Sequence, residues 1–334
     1  MNERYLRQIR IPHFGLDGQA ALTKTKVLIV GCGGLGCPVA MYLSRGGIRH
    51  LGLVDGDKVD VTNLHRQVLY GEAHVGDLKV QAAKAALLEA DKGLTIDIYP
   101  TRLQKVNYKE ICATYDIVVD CTDNFETRYL INDACVLLDK PLVYGAANGW
   151  EGQVAVFNVN KSGNLRDIFP EMPKPGTIQN CEEAGVLGVT TGVIGNMMAL
   201  EVIKVATKIG TPLVNQLVQF DGETNVYHSL KYKPGRSPSN VQIEGTTQIT
   251  WKAYHRDYKG ALLVDVRSLE ERAVQHIEST HMPLSKVAND VKSLDWSKQV
   301  IFFCATGKRA LEAADTARKL MGKESLAIID TLEQ

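Results

Sequence analysis

KVLIVGCGGLGCPVAMYLSRGGIRHLGLVD, residues 26–55, carries two apolar runs on either side of a glycine-rich turn and a helical pattern. Val27 to Val30 is a short apolar run, GCGGLG is a turn that only glycine-rich sequence makes easily, and the next segment has apolar residues at helical spacing before a second apolar run ends at Asp55. Strand, turn, helix and strand in that order form a βαβ unit. Outward from it, DLKVQAAKAALLEA is Ala-rich and helical, TIDIYP alternates like a strand, and DIVVDC is a fully apolar strand ending in acidic and polar residues. Strands alternating with helices predict an α/β fold, a Rossmann-like doubly wound and mostly parallel sheet. EGQVAVFNV and VNQLVQFDGETNVYHSLKYK then alternate with period two, and TTGVIGNMMALEVIKVA between them reads as a core-facing helix. KPGRSPSNVQIEGTT, residues 233–247, concentrates Pro, Gly, Ser and Asn and reads as a linker. ALLVDVRS, QVIFFC and SLAIID supply further buried strands and KRALEAADTARKLM a helix, so two domains are expected, residues 1–232 and a smaller α/β unit at 248–334.

The chain has 334 residues and is 45% hydrophobic, enough to bury more than one core. Lys plus Arg and Asp plus Glu are equal at 38 each, which argues against nucleic acid or an anionic membrane as a partner. No apolar run is read as reaching the roughly 20 residues that span a bilayer, and MNERYLRQIR lacks a signal peptide's apolar segment, so a cytoplasmic location without membrane contact is expected. The seven cysteines, at 32, 37, 112, 121, 135, 181 and 304, form no CxxC pair and sit mostly in apolar runs, which suits reduced thiols.

Gly31, Gly33 and Gly36 satisfy GxGxxG between a strand and a helix, where backbone N–H groups and the helix N-terminus can approach a phosphate chain. Alone the signal is weak, since the same glycines serve any tight strand-to-helix turn. Asp55 ends the next strand, where a carboxylate can accept hydrogen bonds from both ribose hydroxyls. DGDKVDVTNLHRQ adds Asp57, Asn63 and Arg66 just beyond that strand, Lys79 opens the next helix, and Asp123 follows DIVVDC. Two cations and a carboxylate beside a Gly-rich loop suit a triphosphate with Mg²⁺ better than NAD, which has no γ-phosphate to neutralise.

GCGGLG, DGDKVDVTNLHRQ, the Lys79 helix and DCTDN together resemble the MoeB/ThiF family, relatives of the ubiquitin-activating enzymes, over roughly residues 1 to 232. The resemblance implies ATP-dependent adenylation of the C-terminal glycine of a small ubiquitin-like sulfur-carrier protein ending in Gly-Gly. It further implies Gly31, Gly33, Gly34 and Gly36 in the phosphate loop, Asp55 on the ribose, Asn63, Arg66 and Lys79 around the phosphates, and Asp123 on Mg²⁺. Arg7, in RYLRQI, matches an arginine that reaches into the partner subunit's site, which implies a homodimer. Cys181, in TIQNCEEAGVLG, matches a cysteine lying over the activated C-terminus, although Glu182 and Glu183 oppose a thiolate there. Many members hold a structural Zn²⁺ with two CxxC pairs. Here those positions align with Asn164 and Asp167 and with Ser237 and Asn240, so no zinc is expected.

Cys304 ends an apolar strand and precedes a short loop and a helix, so N–H groups and the helix dipole should face its sulfur, with Lys308 and Arg309 adding positive charge. Such a pocket favours a thiolate and can hold a persulfide. LLVDVRSLEE, HIEST and CATGKRA, with Asp265 and Arg267 before the Cys304 loop, resemble a rhodanese domain. Ala310 replaces a frequent serine, and the chain stops at IIDTLEQ without that family's usual GG…W ending. His276 and His281 read as structural rather than acid–base groups. Adenylation makes a carboxylate electrophilic and a persulfide supplies the sulfur, so the two loops are expected to be consecutive steps of one synthesis, serving molybdopterin, thiamine or another sulfur-containing product. The competing readings are an NAD-dependent oxidoreductase with a redox-active C-terminal cysteine and a nucleotide-binding redox sensor.

Overall fold

The structure is a computed structural model describing residues 3–173, 185–235, 247–323 and 325–330. The chain divides into two compact units, Met1–Gln242 and Ile243–Gln334. The division falls within the stretch read as a linker.

The first unit is built on eight strands: β1 (Lys26–Val30), β2 (His50–Val54), β3 (Thr95–Tyr99), β4 (Ile117–Asp120), β5 (Leu142–Asn148), β6 (Glu151–Phe157), β7 (Gln216–Asp221) and β8 (Val226–Lys231). Their order is β3-β2-β1-β4-β5-β6-β7-β8, parallel from β3 to β5 and antiparallel from β5 to β8. Val27, Leu28, Ile29 and Val30 are buried on both faces of β1, as a parallel sheet covered by helices requires. The chain runs from β1 outward through β2 and β3, then returns to β4 on the other side of β1, which opens a crevice between the C-terminal ends of β1 and β4. Register fixes what meets there. Val30 pairs with both Val54 and Asp120, so the segments starting at Gly31, Asp55 and Cys121 leave the sheet at one level.

The helix Gly188–Thr207 corrects one expectation. Among the described residues it is long and apolar enough to cross a membrane, at 20 residues and mean hydropathy 1.3. It is nevertheless a core helix: Ile194, Met198 and Val202 are fully buried, and near-buried Glu201 is satisfied by Lys204 (2.6 Å) and the Leu213 N–H (2.8 Å).

The second unit carries five parallel strands, β9 (Thr247–Ile249), β10 (Leu262–Asp265), β11 (Thr280–His281), β12 (Val300–Phe303) and β13 (Ser325–Ile328), in the order β11-β10-β12-β13-β9. Successive residues of β12 point to opposite cores. Phe302 packs with Ala310, Ala313 and Ala314 of the helix Lys308–Met321, whereas Ile301 and Phe303 pack with Leu263 and Ile328.

Candidate functional site

In the first unit the loops after β1, β2 and β4 surround a cavity of about 1340 Å³, lined by Gly31, Gly33, Gly34, Asp55, Asp57, Asn63, Arg66, Lys79 and Asp123 among others. The Gly-rich loop is shaped by two close approaches. Gly31 has φ +94°, and a Cβ there would lie 2.7 Å from the Cys121 carbonyl oxygen. Gly36 does not line the cavity; a Cβ on it would fall 2.0 Å from the Gly31 carbonyl oxygen. Its task is to let the helix Gly36–Gly46 start against the turn, which departs from the phosphate role implied for it.

Asp55 closes the loop from the β2 side, accepting the N–H groups of Cys32 and Asp57, both at 2.8 Å. Burial pushes its carboxyl up, and nearby Lys79 opposes that rise. Lys79 is nearly buried at the start of its helix, with Nζ 3.3 Å from Asp57. Partial burial works against ionisation of Asp57, but Lys79 and Arg102, the latter also at 3.3 Å, override it and hold the carboxyl below its usual range. Arg66 donates to the Thr62 carbonyl at 3.1 Å and has no acidic partner among the described residues. The exposed Asp123 carboxylate likewise has no partner among them. The arrangement can neutralise an anionic chain lying along the loop, and the Asp123 carboxylate in the cavity lining fits Mg²⁺, which binds through one or two carboxylates together with substrate phosphates. Arg7 is exposed and does not line this cavity, and Cys181 lies outside the described residues.

Three cavity residues escaped the sequence reading. Gln67 is 3% exposed in the wall facing Gly33. Arg128 is buried, donating to the Thr122 carbonyl (2.6 Å) and the Tyr144 hydroxyl (3.3 Å), and lies 3.4 Å from Asp120. Asp120, fully buried, accepts both the N–H and the hydroxyl of Thr122. Burial raises the Asp120 carboxyl while Arg128 opposes it. The pair fixes the Thr122–Asp123 turn from below. The third residue, Arg102, follows β3 and completes the charge around Asp57. Only the run NFETRY carried a sign of Arg128, an arginine on the apolar side of a helix.

The described thiols of the first unit are chemically quiet. Cys32, Cys37, Cys112, Cys121 and Cys135 are buried and free, and burial pushes Cys37 and Cys112 up to about 12. Cys304 is likewise free and fully buried, in the core cluster with Phe302 and Ala310, but it stands at the end of β12 and one short loop before the helix Lys308–Met321. Gly307 turns that loop with φ +80°, and a Cβ there would lie 2.4 Å from the Ile329 backbone, so the chain after β13 braces it. Arg309 reaches Glu271 with both terminal nitrogens, at 2.8 and 2.5 Å. That pair holds Glu271 down at about 2, and Arg309 is raised first by Glu271 and further by the Cys304 sulfur. Asp265 and Arg267 form a buried bidentate ion pair beneath the loop, with Arg267 over the Phe303 ring at 5.3 Å. His281 bonds the Arg267 carbonyl at 2.9 Å. His276 is exposed.

Two of the four aligned zinc positions, Asn164 and Asp167, are otherwise engaged. Asn164 caps a helical turn through the Arg166 N–H at 2.9 Å, and Asp167 accepts the N–H groups of Asn164 (2.8 Å) and Gly235 (2.7 Å). Ser237 and Asn240 lie outside the described residues. One carboxylate and an amide already bound to the backbone do not fit a zinc ligand set.

Comparison with known proteins gives the same two parts. Residues 5–241 match the ThiF family and residues 250–331 the rhodanese-like domain. The adenylyltransferase and sulfurtransferase MOCS3-1 of Zea mays is 37% identical over 95% of this chain and 77% of its own length. The Drosophila sechellia adenylyltransferase and sulfurtransferase MOCS3 is 36% identical over 96% and 79%. Among solved structures, E. coli MccB with ATP superimposes with TM-score 0.62 at 23% identity, over 71% of this chain and 74% of that one, a likeness of fold alone. The chain belongs to the ThiF family and carries a rhodanese-like domain after its adenylating fold.

Proposed function

We propose that the chain adenylates the C-terminal glycine of a small ubiquitin-like sulfur-carrier protein ending in Gly-Gly and then places sulfur on it through Cys304. The observation that carries the first step is the convergence of Arg66, Lys79, Asn63 and Asp123 on one cavity with the Gly-rich loop. At about 1340 Å³ that cavity exceeds the roughly 300–1,000 Å³ of a typical single-ligand site, which leaves room for a peptide tail beside a nucleotide. The carrier carboxylate attacks the α-phosphorus of ATP, a C–O–P bond forms, and the bond to the β-phosphate breaks with its electrons leaving on pyrophosphate. Two anions must approach and charge builds on the leaving group, so Arg66 and Lys79 assist by screening and the loop N–H groups by orienting. Mg²⁺ held through Asp123 would supply further screening of the phosphates. No nucleophilic side chain is needed in this step.

For the second step, the terminal sulfur of a Cys304 persulfide attacks the acyl carbon, a C–S bond forms and AMP departs. The resulting acyl disulfide is cleaved by a second thiol, from Cys181 or from outside the chain, which leaves a thiocarboxylate on the carrier. Cys304 is left in a disulfide with that thiol; an external dithiol reduces it, and a persulfide donor then recharges the freed Cys304 thiolate. A homodimer with Arg7 acting across it, and a cytoplasmic setting, complete the reading. The relatives named above are adenylyltransferases and sulfurtransferases, which favours this chemistry over an NAD-dependent oxidoreductase or a redox sensor. The test is isotope exchange between pyrophosphate and ATP. It should appear only with a carrier ending in Gly-Gly, and its absence with every such carrier would remove the proposal.

A further inference from the structure

Gln67 lines the cavity with a buried side-chain oxygen that has no partner among the described residues. Its backbone is fixed: its N–H donates to the Asn63 carbonyl at 3.0 Å and its carbonyl accepts from the Tyr70 N–H at 3.1 Å. The Tyr70 hydroxyl in turn donates to the Cys32 carbonyl at 2.8 Å, pinning this turn to the Gly-rich loop. The side-chain amide is therefore carried to a set place, with Nε2 3.7 Å from where a Cβ of Gly33 would stand. Oε1 is buried and has no donor among the described residues. A buried carbonyl oxygen left unpaired is costly, and in a cavity wall that cost is removed when a ligand brings a donor.

The chemistry of the ligands narrows which donor. Phosphate oxygens only accept, so they can satisfy Nε2 but never Oε1. Ribose hydroxyls have Asp55, an ionised acceptor at the end of β2. The adenine amino group lies beyond the ribose, away from the phosphates, so the donor that the adenylation reading brings beside Gly33 is the peptide N–H of the residue whose carboxylate attacks, only two bonds from the reacting carboxyl carbon.

Resting on that reading, we propose that Gln67 Oε1 accepts a hydrogen bond from the N–H of the carrier's C-terminal residue and so positions its carboxylate for attack. The site thereby selects tails by their backbone, rejecting any whose terminal nitrogen carries no hydrogen.

The test uses the full chain with two carriers prepared by ligation, one ending in glycine and one in sarcosine, and reads kcat/KM for ATP–pyrophosphate exchange. In the wild-type chain sarcosine should lower the value roughly 10- to 100-fold. Gln67→Met, close in volume but without an acceptor of comparable strength, should lose a similar factor with the glycine carrier and should no longer distinguish the two carriers. Its affinity for a non-hydrolysable ATP analogue and its Tm should stay near wild type. Gln67→Glu, which keeps an acceptor, should retain the glycine preference even if the added charge slows exchange. A Gln67→Met chain that prefers glycine by the wild-type factor, or that loses the nucleotide instead, would overturn the assignment while leaving adenylation standing. No exchange by the wild-type chain with the glycine carrier would overturn adenylation itself, and the assignment with it.

Discussion

The Asp123 carboxylate is exposed and has no partner among the described residues, while Asp57, a few residues beyond the same crevice, is tied to Lys79 and Arg102. The difference sets their tasks: Asp57 holds a cation in place, and Asp123 is free to meet a metal. Asp123→Ala should therefore lower carrier-dependent ATP–pyrophosphate exchange by at least about 100-fold with little change in Tm, by analogy with the loss of one electrostatic contact in other active sites. Exchange at the wild-type rate would remove that role. In the second unit, Glu271 sits near 2 because Arg309 holds it ionised. A carboxyl lowered on folding contributes stability above its unfolded value, here near 4.5, and that contribution fades as pH falls from there toward about 2. Both side chains are about one third exposed, so the pair is worth only about 0.5–1 kcal/mol. Urea unfolding of Glu271→Gln should show that deficit at pH 7 and none near pH 2; a deficit unchanged with pH would mean the ion pair contributes nothing. Charges at strand ends were legible in the sequence because they follow apolar runs directly, as Asp55 and Asp123 do. Gln67, Arg128 and Asp120 were not, because no local pattern says that a polar side chain is buried under a distant loop.

At the scale of elements, apolar runs between turn signals marked β1, β4 and β12 plainly, since each is buried on both faces and therefore uniformly hydrophobic. The strand β5 was missed. LVYGAAN holds small residues because the helix Gly188–Thr207 presses on it, and a Cβ at Gly145 would lie 2.1 Å from the Met198 sulfur. Gly307 illustrates the same dependence on distant backbone. Gly307→Ala must adopt φ +80° and displace the segment at Ile329, at a cost of at least about 1–3 kcal/mol. It should abolish sulfur transfer yet leave exchange intact, and full transfer by this variant would show that the loop does not need its turn. The helical turn Leu165–Ile168 is tied to Gly235 by Asp167, where many relatives are expected to use zinc. Purified protein should contain no stoichiometric zinc, and chelators should leave its thermal unfolding unchanged, whereas Asp167→Ala should cost about 1–3 kcal/mol. One tightly bound zinc per chain, lost to chelator together with stability, would contradict this account of the loops.

For the whole molecule, two chemistries joined in one chain must be separable. Arg7 is exposed and does not line its own cavity, so Arg7→Ala and Asp123→Ala chains, each inactive alone, should recover exchange when combined in proven mixed dimers. No recovery there would argue against a residue acting across the dimer. The two-part division was readable because a run of Pro, Gly, Ser and Asn separates two sets of buried strands; the order of synthesis was readable only from chemistry, since an activated carboxylate and a sulfur nucleophile have one sensible sequence. The most direct test is mass spectrometry of a Gly-Gly carrier after incubation with the enzyme, ATP, Mg²⁺ and a persulfide donor. The wild-type chain should replace one carboxyl oxygen of the carrier by sulfur. Cys304→Ala should still support pyrophosphate exchange and form no thiocarboxylate. A thiocarboxylate made at the wild-type rate by Cys304→Ala would contradict the claim that the second unit delivers the sulfur.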